Sequence, residues 1–251
     1  GVAWVHGSRI GVARSGDGDR WEYEGTLAPG DGSALALTPG PPPLEVDRTH
    51  WAPEVMHDGT RWRMYLTEIE GVPDRWEGHA RHIVEYTSDD LRTWRRVGPV
   101  TLDSDRVIDA AVRRCPDGRW RLWYKDEAAD SVTKVAVSQD LADWSAGGTA
   151  IEGRPHEGPF VIDLGGWWWM LTDEWRGLAV HRSADGALLQ TPWGHGTWTV
   201  VPSRDDVLLA EFAQQRHMLR FEPKGAPTRF TSTRCSDGDL VSGEDIGASA
   251  A

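Results

Sequence analysis

The sequence is poor in basic residues and contains no long apolar run. Its 251 residues include 27 Lys and Arg against 39 Asp and Glu, which gives a formal net charge of −12. This balance argues against a nucleic-acid partner, because proteins that bind nucleic acids present a basic face. No apolar run approaches the roughly 20 residues that a membrane-spanning helix requires. The sequence therefore predicts a soluble protein with neither a nucleic-acid nor a membrane partner.

Cysteines are scarce, and no secretory leader is found. Cys115 and Cys235 are the two cysteines, too few for a disulfide framework or a cluster of metal ligands. No Lys/Arg-rich start followed by an apolar segment is found in these residues. The compartment therefore stays open: the protein is expected to be soluble, and either cytoplasmic or secreted after loss of a leader.

Aromatic residues are unevenly represented, with 15 Trp against 4 Phe and 4 Tyr. An indole ring offers a large apolar face that can stack on a sugar ring, and an acidic chain is compatible with a neutral ligand. Trp21, Trp94 and Trp144 recur at one place in a repeat, so these three are predicted to be structural. The remaining composition is typical of a soluble globular protein.

A repeated unit runs along the chain. Each copy has a short strand-like run, a serine, an Asp-Leu or Asp-Gly turn and, in most copies, a tryptophan: RIGVARSGDGDRWEYEG, HIVEYTSDDLRTWRRVG, KVAVSQDLADWSAGG and the looser GLAVHRSADGALLQTPWG. The serines are Ser15, Ser88, Ser138 and Ser183. The spacing of 50 residues from Ser88 to Ser138 and of 45 from Ser138 to Ser183 is typical of a four-stranded propeller blade.

A second repeat interleaves with the first. HDGTRWRMYLT, CPDGRWRLWYKD and DLGGWWWMLTD each place a glycine turn before an alternating, aromatic-rich strand, which is a hairpin signal. Together the repeats predict an all-β fold: a single five-bladed β-propeller over 1–251, with four-stranded antiparallel blades around a central channel. The expected blades are a partial one at 1–37, then 50–100, 105–150, 154–195, and 196–251 with the tail. A β-sandwich is the alternative, but it does not predict this recurring unit.

Acidic residues occur where three inner strands begin. The chain reads HWAPEV at 50–55, VIDAAV at 107–112 and HEGPFV at 156–161. Because inner strands of a propeller converge on the axis, we expect Glu54, Asp109 and Glu157 to occupy equivalent places and to face one another. Like charges held close push their pKa values apart. A carboxyl group kept neutral near pH 7 is the proton donor that a glycosidase needs.

These three motifs, in this order and at blade-length spacing, resemble the blade-entry motifs of glycoside hydrolase family 43 and its five-bladed propeller relatives. The resemblance covers roughly residues 8 to 193. It implies an inverting hydrolase that acts on arabinofuranosyl, xylosyl or related plant-type glycosides. Glu157 would be the general acid, Asp109 would orient it and tune its pKa, and Trp51 would lie in the wall or floor of the sugar pocket.

One motif of the family, the one that carries the general base, is not found in the chain. The family's general base is an aspartate on the inner strand of the first blade, typically followed by proline, and the chain shows no such motif before GVAWVHGSRIGVARS. Three explanations for the missing motif are open: upstream residues are absent from this chain, the C-terminal tail supplies the base, or the base has been lost. Asp17 and Asp19 lie in an outer turn and are poor substitutes, and Asp237 or Asp239 would require the tail to close the first blade. The alternative function is a carbohydrate-binding propeller without a working base.

Other residues are expected to line the pocket. Glu54 is expected to be structural rather than catalytic, either hydrogen-bonding neighbouring strands or contacting the sugar, and it is placed among the substrate-binding residues. His50 and His156 are placed as contacts to substrate hydroxyls or as surface histidines. The family tends to carry a histidine near the axis in the last blade, often beside an ion or a water cluster, and His217 in QQRHMLRF is the candidate. No cofactor is expected. A structural Ca²⁺ in the central channel is the one metal considered, and no metal ligand is assigned.

Overall fold

The structure is a computed structural model, and the chain divides into two compact units. The units are Gly1–Val161 and Ile162–Ala251, and each is described by itself. Side chains are described over 9–29, 34–40, 48–73, 75–164, 166–175 and 177–183; the backbone alone is described over 196–200, 207–212, 215–221, 229–234 and 240–244.

The first unit is built from β-strands. In chain order they are β1 (Ile10–Arg14), β2 (Glu22–Pro29), β3 (Ala34–Thr38), β4 (Arg48–His57), β5 (Trp62–Glu70), β6 (Arg81–Ser88), β7 (Thr93–Pro99), β8 (Val107–Arg114), β9 (Trp120–Asp126), β10 (Val132–Ser138) and β11 (Ser145–Ile151). A short 3-10 helix, Glu127–Ala129, joins β9 to β10. Among the described residues, no helix has the length and apolar character needed to cross a membrane.

Two antiparallel sheets make up this unit. One has the order β1-β2-β3-β7-β6-β5-β4 and the other the order β11-β10-β9-β8. Within them, β4 to β7 and β8 to β11 are each a run of four successive antiparallel strands, and the first run shares its sheet with β1 to β3. The sheets share an apolar core in which Tyr65 and Ile83 cluster with Val112 and Leu122, all fully buried.

The second unit continues the same pattern. β12 (Glu157–Leu164) crosses the boundary, and β13 (Trp167–Asp173), β14 (Leu178–Ser183), β15 (Gly196–Val200), β16 (Val207–Phe212), β17 (Gln215–Phe221), β18 (Arg229–Arg234) and β19 (Leu240–Glu244) follow it. The sheet order from β12 to β19 is the chain order, with antiparallel pairing between successive strands from β13 onward. The prediction of an all-β fold of antiparallel sheets is confirmed. The count of five blades stays a prediction.

The repeated serine closes a turn by accepting backbone hydrogen bonds. After β10, the Ser138 hydroxyl accepts from the N–H of Leu141 at 2.9 Å and from that of Asp140 at 3.2 Å. The Asp140 carboxylate in turn accepts from Ala142 at 2.9 Å and Asp143 at 3.0 Å. Four backbone donors of the turn are thus satisfied by two side chains, which is why Ser and Asp recur here.

The same turn is found at Ser15 and Ser88, with matching hydrogen bonds. In each copy the residue after the aspartate adopts a positive φ: 83° at Gly18, 61° at Leu91 and 67° at Leu141. The side-chain hydrogen bonds hold leucine in a conformation that L-residues rarely adopt. Ser183 occupies the equivalent place in β14, and the residues that follow it lie outside the described part of the chain.

Replacing Ser138 by alanine tests this turn. Ser138 is buried, so its loss leaves backbone donors without their acceptor and is expected to lower the free energy of unfolding by about 1 kcal/mol. Urea unfolding followed by tryptophan fluorescence measures the change. Ser145→Ala is the matched control, since that exposed hydroxyl only donates to the Val137 carbonyl at 3.2 Å. Equal destabilisation by both substitutions would show that the turn hydrogen bonds are unimportant.

Candidate active site

Each of the three strand-entry motifs contains one residue in the left-handed region. It is Ala52 in β4, Asp109 in β8 and Gly158 in β12, with φ of 44°, 59° and 61°. In β4 and β8 this residue lies in a register shift, where the strand bulges away from its partner. Such bulges re-aim side chains and are frequent next to active sites.

The shared left-handed residue shows that the three acids do not occupy equivalent places, contrary to the expectation from sequence. Asp109 is itself that residue, whereas Glu157 precedes it by one position and Glu54 follows it by two. Successive residues of a strand point to opposite faces, and a bulge interrupts this alternation. The motifs therefore look alike in sequence while they present their acids differently.

Asp109 is fixed against the strand that carries Glu157. Its Oδ2 accepts a hydrogen bond from the Gly158 N–H at 3.0 Å. Its own N–H donates to the Thr67 hydroxyl at 3.4 Å. Two of the three predicted acids, Asp109 and Glu157, are thus brought together through one backbone amide.

Burial raises the pKa of Asp109 to about 6. The Gly158 N–H and the Lys125 ammonium oppose this rise, while the negative charges of Glu157 and Glu127 add to it. Desolvation penalises the charged form, and like charges penalise it further. Asp109 therefore changes its charge in the range where many enzymes work, which is a common property of active-site carboxylates.

Lys125 is the cation next to Glu157, and sequence analysis did not identify it. Its Nζ lies 3.0 Å from Oε2 of Glu157 and 3.2 Å from Oε1 of Glu127. The Lys125 side chain is 3% exposed, against 30% for Glu157. An ion pair of this kind forms when Glu157 is ionised. The sequence signal was an uncommon lysine inside the aromatic strand RLWYKD.

Trp51 stacks on a second tryptophan that was also not predicted. The rings of Trp51 and Trp76 are parallel within 2°, with centroids 5.5 Å apart. The Arg81 guanidinium lies 4.5 Å from the centroid of Trp76, and Lys125 Nζ lies 5.7 Å from it. Trp76 therefore lies against the Trp51 ring and close to two cationic side chains, and 37% of the residue is exposed.

Glu54 joins the two sheets of the first unit. Its carboxylate pairs with the guanidinium of Arg113 and accepts from the Val112 N–H at 3.3 Å. These partners belong to β8, whereas Glu54 belongs to β4. Of the two roles expected for Glu54, these contacts are those of a strand tie, and its contact with a sugar stays a prediction.

His50 lies in a buried polar cluster. It is 3% exposed, and its Nε2 is 3.7 Å from Oε1 of Glu68. Burial opposes the ionised form of Glu68, but the nearby His50 imidazole and the hydrogen bonds from Arg96 and Tyr86 outweigh it and lower the pKa of this carboxyl to about 2. His50, a residue of β4, is thus buried among polar side chains of the fold.

His156 is likewise buried, and both of its ring nitrogens have partners in the chain. Nε2 lies 3.0 Å from the Thr133 N–H, which donates to it, and 2.7 Å from the Thr133 hydroxyl. Nδ1 lies 2.8 Å from the Arg154 carbonyl. The imidazole therefore ties β10 to the segment before β12, and substrate hydroxyls have no ring nitrogen left to contact here.

The remaining candidates lie away from this cluster or outside the described residues. Asp17 accepts the N–H groups of Asp19 and Arg20, both at 2.9 Å, in an outer turn. The side chain of His217, in β17, lies outside the described part of the chain, as do Asp237 and Asp239. Within the described residues, no group of three or more His, Cys, Asp and Glu side chains could hold a metal ion. The Ca²⁺ considered from the sequence therefore has no assigned ligands.

The fold is shared with known glycoside hydrolases. The chain is similar to a thermostable family-43 glycoside hydrolase, with a TM-score of 0.52 and 17% identity over 94% of this chain and 85% of that one. It is also similar to xylan β-1,4-xylosidase from Bacillus halodurans C-125, with a TM-score of 0.54 and 13% identity over 94% of this chain and 51% of that one. The sequence matches no protein-family model and no curated protein. At these identities the likeness establishes the fold alone, a β-propeller fold that glycoside hydrolases share, and one fold can host several functions.

Replacing Asp109 by asparagine tests its environment. The folded-state pKa lies above the unfolded value of 3.8, so the stability that Asp109 contributes is full below that value and is lost as pH rises through about 6. Asparagine cannot ionise and tolerates a positive φ. Relative to wild type, Asp109→Asn is therefore expected to be more stable at pH 8 than at pH 4, by up to about 3 kcal/mol.

Urea unfolding of both proteins at the two pH values measures this difference. Asp163→Asn, the same substitution at an exposed position, is the control for the change of side chain. A stability difference between Asp109→Asn and wild type that is the same at both pH values would contradict the raised pKa.

Proposed function

We propose that the protein is a glycoside hydrolase that cleaves arabinofuranosyl, xylosyl or related glycosidic bonds with inversion. The observation that carries the proposal is the hydrogen bond between the Asp109 carboxylate and the Gly158 N–H. It brings the second and third acids of a family-43-like motif set together, in a chain with the glycoside hydrolase fold. Glu157 is the proposed general acid and Asp109 its positioning residue.

The proposed mechanism follows from the two charges. In an inverting hydrolase, a carboxylic acid protonates the departing oxygen while a carboxylate base activates water on the other face of the sugar, roughly 6.5–9.5 Å away. When Asp109 is ionised, its negative charge opposes the loss of the proton from Glu157. The Gly158 hydrogen bond holds that charge close to Glu157 while it does so. Proton retention by Glu157 then depends on Asp109.

Trp51 is the proposed wall of the sugar pocket, because an indole offers an apolar face to a sugar ring. Its parallel stacking on Trp76 supports this role, since it restrains the ring before a ligand arrives. His217 stays a proposed contact in the last blade. The proposed partner is an arabinose- or xylose-containing oligosaccharide or polysaccharide. One of the structural neighbours is a xylan β-1,4-xylosidase, which supports xylosides as test substrates.

The second candidate function is a carbohydrate-binding propeller that lacks a working base. One observation favours it: the chain contains no Asp-Pro dipeptide, the form in which the family typically carries its base. Such a protein would bind the same sugars through the same pocket. It would release no product.

Hydrolysis of aryl α-L-arabinofuranosides and β-D-xylosides separates the two functions. The wild-type chain is expected to release product, and Glu157→Gln is expected to lose about 100-fold or more in kcat/KM with a phenyl leaving group. The loss should be smaller with a dinitrophenyl leaving group, because that oxygen needs little protonation as it departs. Glu152→Gln, at an exposed position shortly before the motif, is the control with wild-type rates.

Two outcomes count against the hydrolase. Sugar binding without product release by the wild type would establish the binding protein instead. Equal losses by Glu157→Gln with good and poor leaving groups would remove Glu157 from the role of general acid.

A further inference from the structure

Four charged side chains of the first unit form a chain of alternating sign that ends at Glu157. Arg81 Nη1 lies 3.2 Å from one oxygen of Glu127, and Lys125 Nζ lies 3.2 Å from the other. Lys125 Nζ then lies 3.0 Å from Glu157. These residues come from β6, the 3-10 helix, β9 and β12, so four separate elements meet at this network.

Burial makes this network costly unless every charge has a partner. The side chains of Arg81 and Lys125 are each 3% exposed and that of Glu127 is 7% exposed. A buried ammonium without a counter-ion is strongly destabilising. Glu157 differs from the other three because 30% of its side chain is exposed to solvent.

A general acid must lose its negative charge in each catalytic cycle, and this creates a problem for Lys125. If Glu157 were the only partner of Lys125, protonation of Glu157 would leave a buried cation unpaired. Glu127 removes that problem, because it pairs with Lys125 whether or not Glu157 is ionised. Arg81 binds the other oxygen of Glu127, so Glu127 itself stays paired.

We propose that Lys125 is a positioning residue for Glu157 and that Glu127 is its permanent counter-ion, so that the pair sets the pH range in which Glu157 holds a proton. This inference rests on the proposed role of Glu157 as general acid. Lys125 attracts and orients the Glu157 carboxylate between turnovers. Glu127 offsets the positive field that Lys125 exerts on Glu157. Asp109, from β8, adds a second negative charge that acts on Glu157 in the same direction as Glu127.

The two members of the pair have opposite effects on Glu157. Removing the positive charge of Lys125 makes the proton harder to lose, so in Lys125→Met the basic limb of the kcat/KM profile should move up by about one pH unit or more. Removing the negative charge in Glu127→Gln removes the charge that offsets the positive field of Lys125 at Glu157, so the same limb should move down. The double substitution should return the limb close to its wild-type position.

Two further variants serve as controls. Lys125→Arg keeps the charge and should keep the limb near its wild-type position even if kcat falls. Lys134→Met removes a neighbouring lysine whose Nζ pairs with Asp126 at 2.9 Å. It should leave the limb unchanged, since the same charge is lost from a pair that does not include Glu157.

A second measurement keeps the inference testable if the protein shows no hydrolysis. The ¹³C carboxyl resonance of Glu157, assigned by its absence in Glu157→Gln, can be followed through a pH titration of each variant. Its midpoint should move up in Lys125→Met and down in Glu127→Gln. Shifts in the same direction, or no shifts, would overturn the inference whatever the activity, whereas a silent wild type with opposite NMR shifts would overturn the proposed hydrolase alone.

Discussion

The hydrogen bond from the Gly158 amide to the Asp109 carboxylate is the contact on which the site depends. Without it, the second and third strand-entry motifs would be two separate acidic segments. Asp109 reaches Gly158 because its backbone is left-handed and lies in a bulge of β8. Burial then places the pKa of this carboxyl at about 6. The left-handed conformation of Asp109 therefore determines where its carboxylate lies. Burial at that place determines the pH at which the carboxylate ionises.

Around this contact, buried polar groups hold the strands rather than the sugar. Glu54 joins β4 to β8 through Arg113, His50 belongs to the Glu68 cluster, and His156 bonds to Thr133 with both ring nitrogens engaged. Buried polar groups require partners because water is excluded. These ties are the rigid support that a precisely aimed carboxylate requires, since small displacements of a catalytic group cost much of its effect.

Sequence patterns predicted the parts of the fold that depend on local chemistry. The Ser-x-Asp turns, the glycine-entered hairpins and the acids at the strand entries each follow from a few neighbouring residues, and the structure shows the same turn at Ser15, Ser88 and Ser138. The places of the acids were harder to predict, because a bulge changes which face a side chain takes. Lys125 and Trp76 were missed for a different reason. Lys125 is 32 residues from its partner Glu157, and Trp76 belongs to a loop with no repeat to mark it.

A crystal structure of Glu157→Gln with a xylo- or arabino-oligosaccharide would show whether Asp109 and Glu157 face the substrate. We expect a glycosidic oxygen within hydrogen-bond distance of the side chain at position 157, a sugar ring against Trp51, and Asp109 still accepting from the Gly158 amide. An oligosaccharide bound elsewhere on the protein, or an Asp109 carboxylate turned away from Gly158, would contradict this expectation.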